Sequence, residues 1–153
     1  MKMTLSLAML VACSLKPAPA PASANTFTLG STEAEVKAAM GGAPTELDDT
    51  FHQWEYGFSI VKFDGSGHVV GWNERDTHLA TRYEPQDPKA AEAARAAGTF
   101  GKGSTKDEVF GVMGVPTEID ATFDQWEYGF SIVHFSGSRV TGWNERDTHL
   151  PVR

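Results

Sequence analysis

The chain has 153 residues, 41% of them hydrophobic, and a formal net charge of −7. An acidic balance without a Lys/Arg cluster argues against nucleic-acid binding and against polybasic attraction to anionic lipid. A single cysteine, Cys13, leaves no intramolecular disulfide. No apolar run reaches the roughly 20 residues that a membrane-spanning helix needs.

Residues 1–12 read as a signal peptide, in which Lys2 precedes a short apolar stretch. Leu10-Val11-Ala12-Cys13 resembles a bacterial lipoprotein box, with Cys13 as the lipid acceptor and first mature residue. Multiple acyl chains would anchor such an N-terminus stably. Ser14, in place of a retention aspartate, points to the outer membrane. Ala22-Ser23-Ala24 offers a second cleavage site, and its use would release a soluble periplasmic or secreted protein. Residues 13–25, rich in Pro and Ala, read as a semi-rigid tether.

The remainder is a tandem repeat. QWEYGFSIV occurs at Gln53–Val61 and Gln125–Val133, and GWNERDTHL at Gly71–Leu79 and Gly142–Leu150. Such self-similarity divides the chain into a module at 26–82, a linker with an Ala-rich helix at 83–98 and a module at 99–153. Units this small bury only about 60% of their unfolded surface, so the copies are expected to pack together.

Each module opens with a capping box, Thr32 with Glu35 and Thr105 with Glu108. The helices that follow carry narrow stripes, Val36/Met40 and Val109/Met113. Gly41 and Gly114 suit left-handed helix ends, and Pro44 and Pro116 forbid continuation. Three strands are expected next: Trp54–Tyr56, Phe58–Phe63 and His68–Trp72. The second copy has Trp126–Tyr128, Phe130–Phe135 and Arg139–Trp143. Asp64-Gly65-Ser66-Gly67 and Ser136-Gly137-Ser138 are turn chemistry. Period-2 alternation puts Val61, Phe63, Val69, Val133, Phe135 and Val140 under the helices. It puts Phe58, Ile60, Trp72, Phe130, Ile132 and Trp143 on the opposite face, beside the more polar Lys62, His134 and Thr141. Between the copies, Asp87-Pro88 reads as N-cap and first turn of a helix closed by Gly98. The expected class is α+β: two tandem α(α)βββ modules, each an antiparallel three-stranded meander with a short helix packed on one face.

The frame Phe-x-x-Gly-x-Thr-x-x-x-Val, then Gly-x-Pro and Trp-x-Tyr-Gly before a hairpin, resembles the SmpA/OmlA (BamE-like) outer-membrane lipoprotein family. The matching positions are Gly30, Thr32, Val36, Gly41 and Pro44, with Gly103, Thr105, Val109, Gly114 and Pro116 in the second copy. The tandem form is similar to the β-lactamase-inhibitory-protein architecture. These positions are caps, stops and core, so the resemblance implies fold more than function.

The densest polar cluster is Asn73-Glu74-Arg75-Asp76-Thr77-His78, repeated as Asn144 to His149. In an extended segment Glu74, Asp76 and His78 would share a face that could hold a metal, but Arg75 sits among them, and a solvated loop or a polar partner contact fits better. Gly101-Lys102-Gly103-Ser104-Thr105 lacks phosphate-loop spacing, and no nucleophile constellation is present. The four tryptophans serve either core packing or a binding surface.

The expected function is therefore a non-enzymatic cell-envelope lipoprotein that binds an envelope protein or stabilises an assembly, without cofactor or metal. Its candidate partner-binding residues are Phe58, Trp72, Glu74, Arg75 and Asp76, with Phe130, Trp143, Glu145, Arg146 and Asp147. Cys13 is the candidate lipidation site, and the outer membrane facing the periplasm the expected location. The alternative is an inhibitor of a secreted enzyme that uses the curved double sheet as its docking surface, with Glu46–Asp49 as the one candidate for an inserted acidic loop.

Overall fold

A computed structural model describes residues 25–153. Both capping boxes form. Thr32 caps α1 (Glu33–Met40) and Thr105 caps α3 (Lys106–Met113), each side chain accepting from the N3 amide while the N3 glutamate returns to the cap N–H. Asp87 caps α2 (Pro88–Ala97) through the amides of Lys89 and Ala90. The two helix ends differ. Gly41 is left-handed, but Gly114 has φ 79° and ψ −157°, a mirror-extended conformation that glycine alone adopts comfortably. The second copy has one residue fewer between this glycine and its proline, so its chain must turn out of the helix more abruptly.

The strands are β1 (Glu46–Asp48), β2 (Gln53–Tyr56), β3 (Ser59–Phe63), β4 (Val69–Asn73), β5 (Glu118–Asp120), β6 (Gln125–Tyr128), β7 (Ser131–Ser136) and β8 (Arg139–Asn144). The fold is α+β, with one eight-stranded antiparallel sheet in chain order β1 to β8. Each copy thus contributes four strands, where the sequence pattern suggests three. The extra ones, β1 and β5, are three-residue strands that precede each Gln-Trp-Glu-Tyr strand. Glu46–Asp48, expected within an acidic loop, is the edge strand β1.

The sheet has two faces of clear character. The row Leu47, Trp54, Val61, Trp72, Ile119, Trp126, Val133, Trp143 runs through paired positions of all the strands. It faces the core, together with Phe27, Val36, Phe100 and Val109. All four tryptophans lie in this row. Trp72 and Trp143, expected on the opposite face, are therefore on the helix side. The cause is a register shift at Lys62/Phe63 and its copy at His134/Phe135. Phe63 pairs with Val69 and Lys62 with Gly71, leaving Val70 unmatched. A bulge of this kind inverts the alternation beyond it.

The copies join where β4 pairs with β5, Trp72 opposite Ile119 and Asn73 opposite Glu118. The Trp72 indole N–H donates to the Pro116 carbonyl at 3.1 Å, and Glu74 N–H to the Thr117 carbonyl at 2.8 Å. At Gly71 the carbonyl of Ile119 would lie 2.3 Å from an added Cβ, so the junction admits only glycine there.

The linker is docked. Tyr83 packs against Phe110 and Trp126 with ring centroids 4.9 and 5.0 Å apart. Its hydroxyl donates to buried Asp107, which also accepts from Asp87 N–H. Burial, with that carboxylate, pushes the Tyr83 phenol well above its ordinary range. The α2 helix lies on α3, where the Ala91 carbonyl would be 2.0 Å from a Cβ on Gly111. The corresponding stretch ahead of the first module, the tether, the signal and Cys13 lie outside the described residues.

Candidate binding groove at the junction of the repeats

The face away from the helices also has a continuous row of paired residues. It reads Glu46, Glu55, Ile60, Asn73, Glu118, Glu127, Ile132, Asn144, so the order Glu-Glu-Ile-Asn occurs twice. Its centre lies in a groove of about 800 Å³ lined by residues of both copies. Glu55, Ile60, Asn73, Glu118 and Glu127 form the floor, Glu74, Arg75 and Asp76 one wall, and Phe58 and Phe130 contribute apolar surface.

The two phenylalanines are held by backbone. The turns Gly57-Phe58 and Gly129-Phe130 are the tips of the β2–β3 and β6–β7 hairpins. Phe58 N–H donates to Asp76 Oδ1 at 2.7 Å, and Phe130 N–H to Asp147 Oδ1 at 2.7 Å. Behind each tip a fully buried serine, Ser59 or Ser131, donates to the following Thr carbonyl and accepts two amides of the same loop. The hairpins are thereby clamped while their aromatic rings stay 75% and 72% exposed. With the backbone at each tip already fixed, a partner that covers the rings has only the side chains to order.

The floor is electrostatically unbalanced. Glu118 and Glu127 are direct cross-strand neighbours, as are Glu46 and Glu55. Like charges so placed destabilise a sheet. Burial, reinforced by the Glu127 charge, pushes the Glu118 carboxyl above its usual range. Lys62 offsets part of this, lying 3.3 Å from Asp120 and 4.0 Å from Glu118. Asn73 Nδ2 donates to Glu118 Oε2 at 2.6 Å. Five carboxylates thus line or wall the groove, against the one guanidinium of Arg75.

The repeated polar cluster is a self-bonded loop. Glu74 accepts from Leu79 N–H and faces His78 at 3.1 Å, while Asp76 is directed to Phe58 N–H. Glu74, Asp76 and His78 therefore do not share one face, and among the described residues no group of three or more His, Cys, Asp or Glu could hold a metal ion. Glu145 repeats the arrangement with Leu150 and His149, and both Glu145 and Asp147 are held below their ordinary ranges, first by their bonds to the Leu150 and Phe130 amides respectively. Gly101 to Thr105 is also structural, since Ser104 Oγ accepts from Gly101 N–H and Thr105 is the cap of α3.

The structure brings Phe58, Glu74, Arg75, Asp76 and Phe130 together at the groove. It removes Trp72, which is fully buried on the other face. Trp143 is half-buried on that same core side, at the free edge of β8. Glu145, Arg146 and Asp147 lie in the loop after β8 and do not line the groove. The charged groove residues that the sequence pattern does not single out are Glu55, Glu118 and Glu127. The alternation within Gln-Trp-Glu-Tyr already assigns Glu55 and Glu127 to the face opposite the tryptophans. Glu118 enters only through the pairing of β5.

No protein-family model matches the chain, and neither a curated protein nor a solved structure matches it. No described helix is long and apolar enough to cross a membrane.

Proposed function

We propose that the chain is a non-enzymatic binding module of the bacterial cell envelope, in which the junction groove takes a segment of an envelope protein. The observation that carries this reading is the pairing of an acidic floor, only partly offset by Lys62, with two exposed phenylalanines on clamped hairpin tips. A basic side chain entering the groove would neutralise the Glu118–Glu127 repulsion, and flanking apolar side chains would cover Phe58 and Phe130. Aromatic residues, phenylalanine among them, are enriched in protein–protein interfaces relative to the rest of the surface. The lipoprotein-like box at Cys13 and the SmpA/OmlA resemblance of the module frame support an outer-membrane address facing the periplasm. The two modules are proposed as BamE-like units, each extended by one strand. Of the acidic loop that would favour the inhibitor alternative, Glu46–Asp48 is strand β1 and Asp49 lies in the turn after it.

Capture from solubilised envelopes tests the proposal. The wild-type chain is expected to recover one partner. A Phe58→Ser/Phe130→Ser variant should lose it while keeping the same melting temperature, because both rings are exposed. A Glu118→Gln/Glu127→Gln variant should weaken capture and reduce its sensitivity to salt. Undiminished capture by both variants would overturn the assignment of the groove.

A further inference from the structure

The two free edges of the sheet are the two halves of the junction already present at its centre. Inside the chain, β4 of the first copy pairs with β5 of the second. At the ends stand β8, the repeat of β4, and β1, the repeat of β5. The open-face row closes at the junction with Asn73 opposite Glu118, and its ends are Asn144 and Glu46, the same pair. The core row closes with Trp72 opposite Ile119, and its ends are Trp143 and Leu47.

Exposure marks these edges as incomplete. Ile119 is 4% exposed between its neighbours, whereas Leu47 at the same place in β1 is 57% exposed. Trp72 is wholly buried, while Trp143 is only partly covered, its ring resting edge-on to Phe100 at 6.3 Å. Pro44 stands where Pro116 accepts the Trp72 indole N–H. Asn144, without a glutamate opposite, lies 3.1 Å from His134 Nε2. The close approach is provided for as well. Gly71 is required because the Ile119 carbonyl crowds it, and Gly142 is again glycine although an added Cβ there would meet nothing within 4 Å. Neither β1 nor β8 contains Lys or Pro; β1 is short and acidic, but β5 has the same length and the same acids while paired, and Arg139 lies at the end of β8 away from Trp143 and Asn144.

We propose that the chain associates head to tail with itself, β8 of one copy pairing with β1 of a second and repeating the β4–β5 junction. Trp143 would lie against Leu47 of the second copy, Asn144 would donate to its Glu46, and the Glu145 amide to its Thr45 carbonyl. The contact is heterologous, so each copy still offers one free edge and assembly continues as an open row or closes as a ring. One element is weakened by His134, which replaces Lys62 opposite the acids of β1. Each new junction would also set Phe130, Ile132 and Glu145–Asp147 beside Glu55 and Phe58 of the next copy, rebuilding the groove. The association itself does not depend on what the groove binds.

Sedimentation of the purified full chain over a concentration series tests this. Wild type is expected to associate as concentration rises, and His134→Lys to associate at lower concentration. Leu47→Lys and Gly142→Ala should each be monomeric, with melting temperatures equal to that of wild type at dilutions where wild type is itself monomeric. Gly71→Ala, made at the internal junction, should instead lower the melting temperature. Mixing the two monomeric variants is the decisive arm. Leu47→Lys keeps a working β8 and Gly142→Ala a working β1, so the mixture should form a 1:1 dimer that grows no further. A wild type that stays monomeric, edge variants that associate like wild type, or a mixture that forms no dimer would overturn the proposal.

Discussion

Trp72 and Trp143 share a cross-strand valine and an edge-on phenylalanine and differ in what covers their other side. Trp72 is enclosed by Phe27, Ile119 and Val61 and has its indole N–H bonded to Pro116. Trp72→Ala is expected to destabilise the protein by about 3–5 kcal/mol, as for other large buried aromatics. Trp143→Ala should cost distinctly less, because its ring is already partly in solvent; chemical denaturation of the two variants measures the difference. Glu118 makes a pH-dependent case. Its folded-state pKa is raised, so its protonated form favours folding. That contribution is fully present below the unfolded-state pKa and is lost as pH rises through the folded value. Glu118→Gln, which keeps an acceptor for Asn73, should therefore be more stable than wild type at neutral pH. The advantage should vanish below about pH 4, where an ordinary glutamate is itself protonated. Denaturation curves at the two pH values check the sign. Glu55 and Glu127 were readable as open-face residues from the tryptophans beside them. The face of Trp72 was not, because a single unmatched residue in β4 reverses the alternation.

At the scale of elements, the helices follow local chemistry closely. The capping boxes, the Asp-Pro start of α2 and the glycine stops are each satisfied by bonds within a few residues, so short windows of sequence suffice to place them. The three main strands of each copy are legible from alternation and turns, except that Phe58 and Phe130, expected to open the second strand, lie in the turn before it and the bulge reverses the face at the end of the third. β1 and β5 are not. Glu-Leu-Asp and Glu-Ile-Asp offer one apolar residue each, and they become strands only because Gln53–Tyr56 and Gln125–Tyr128 supply a ladder. The α2–α3 contact is likewise non-local. Gly111, at the place of Ala38 in the first copy, lets the Ala91 backbone approach. Gly111→Ala should force the helices apart and cost about 1–3 kcal/mol, seen as a lower melting temperature. Ala38→Gly, on the exposed side of α1, should cost no more than the helix propensity difference of about 1 kcal/mol.

At the scale of the whole molecule, duplication supplies two sets of the same residues and the sheet decides which of them meet. Joined through β4 and β5, the copies bury Trp72 and Ile119, bring Glu118 and Glu127 beside Glu55, and set Phe58 and Phe130 on one groove. The second set, Trp143 with Glu145, Arg146 and Asp147, is left at an open edge facing no second module. Equivalent sequences thus acquire different surroundings through position alone. The repeated segments, the helix caps, the main hairpins and the α+β class were settled by the order of residues, because each depends on identity between copies, on interactions spanning a few positions or on alternation along one strand. The single eight-stranded sheet, the core placement of Trp72 and Trp143, and the acidic groove were decided by the folded chain. They rest on a two-residue pairing between segments more than forty positions apart and on a bulge, and no local pattern encodes either.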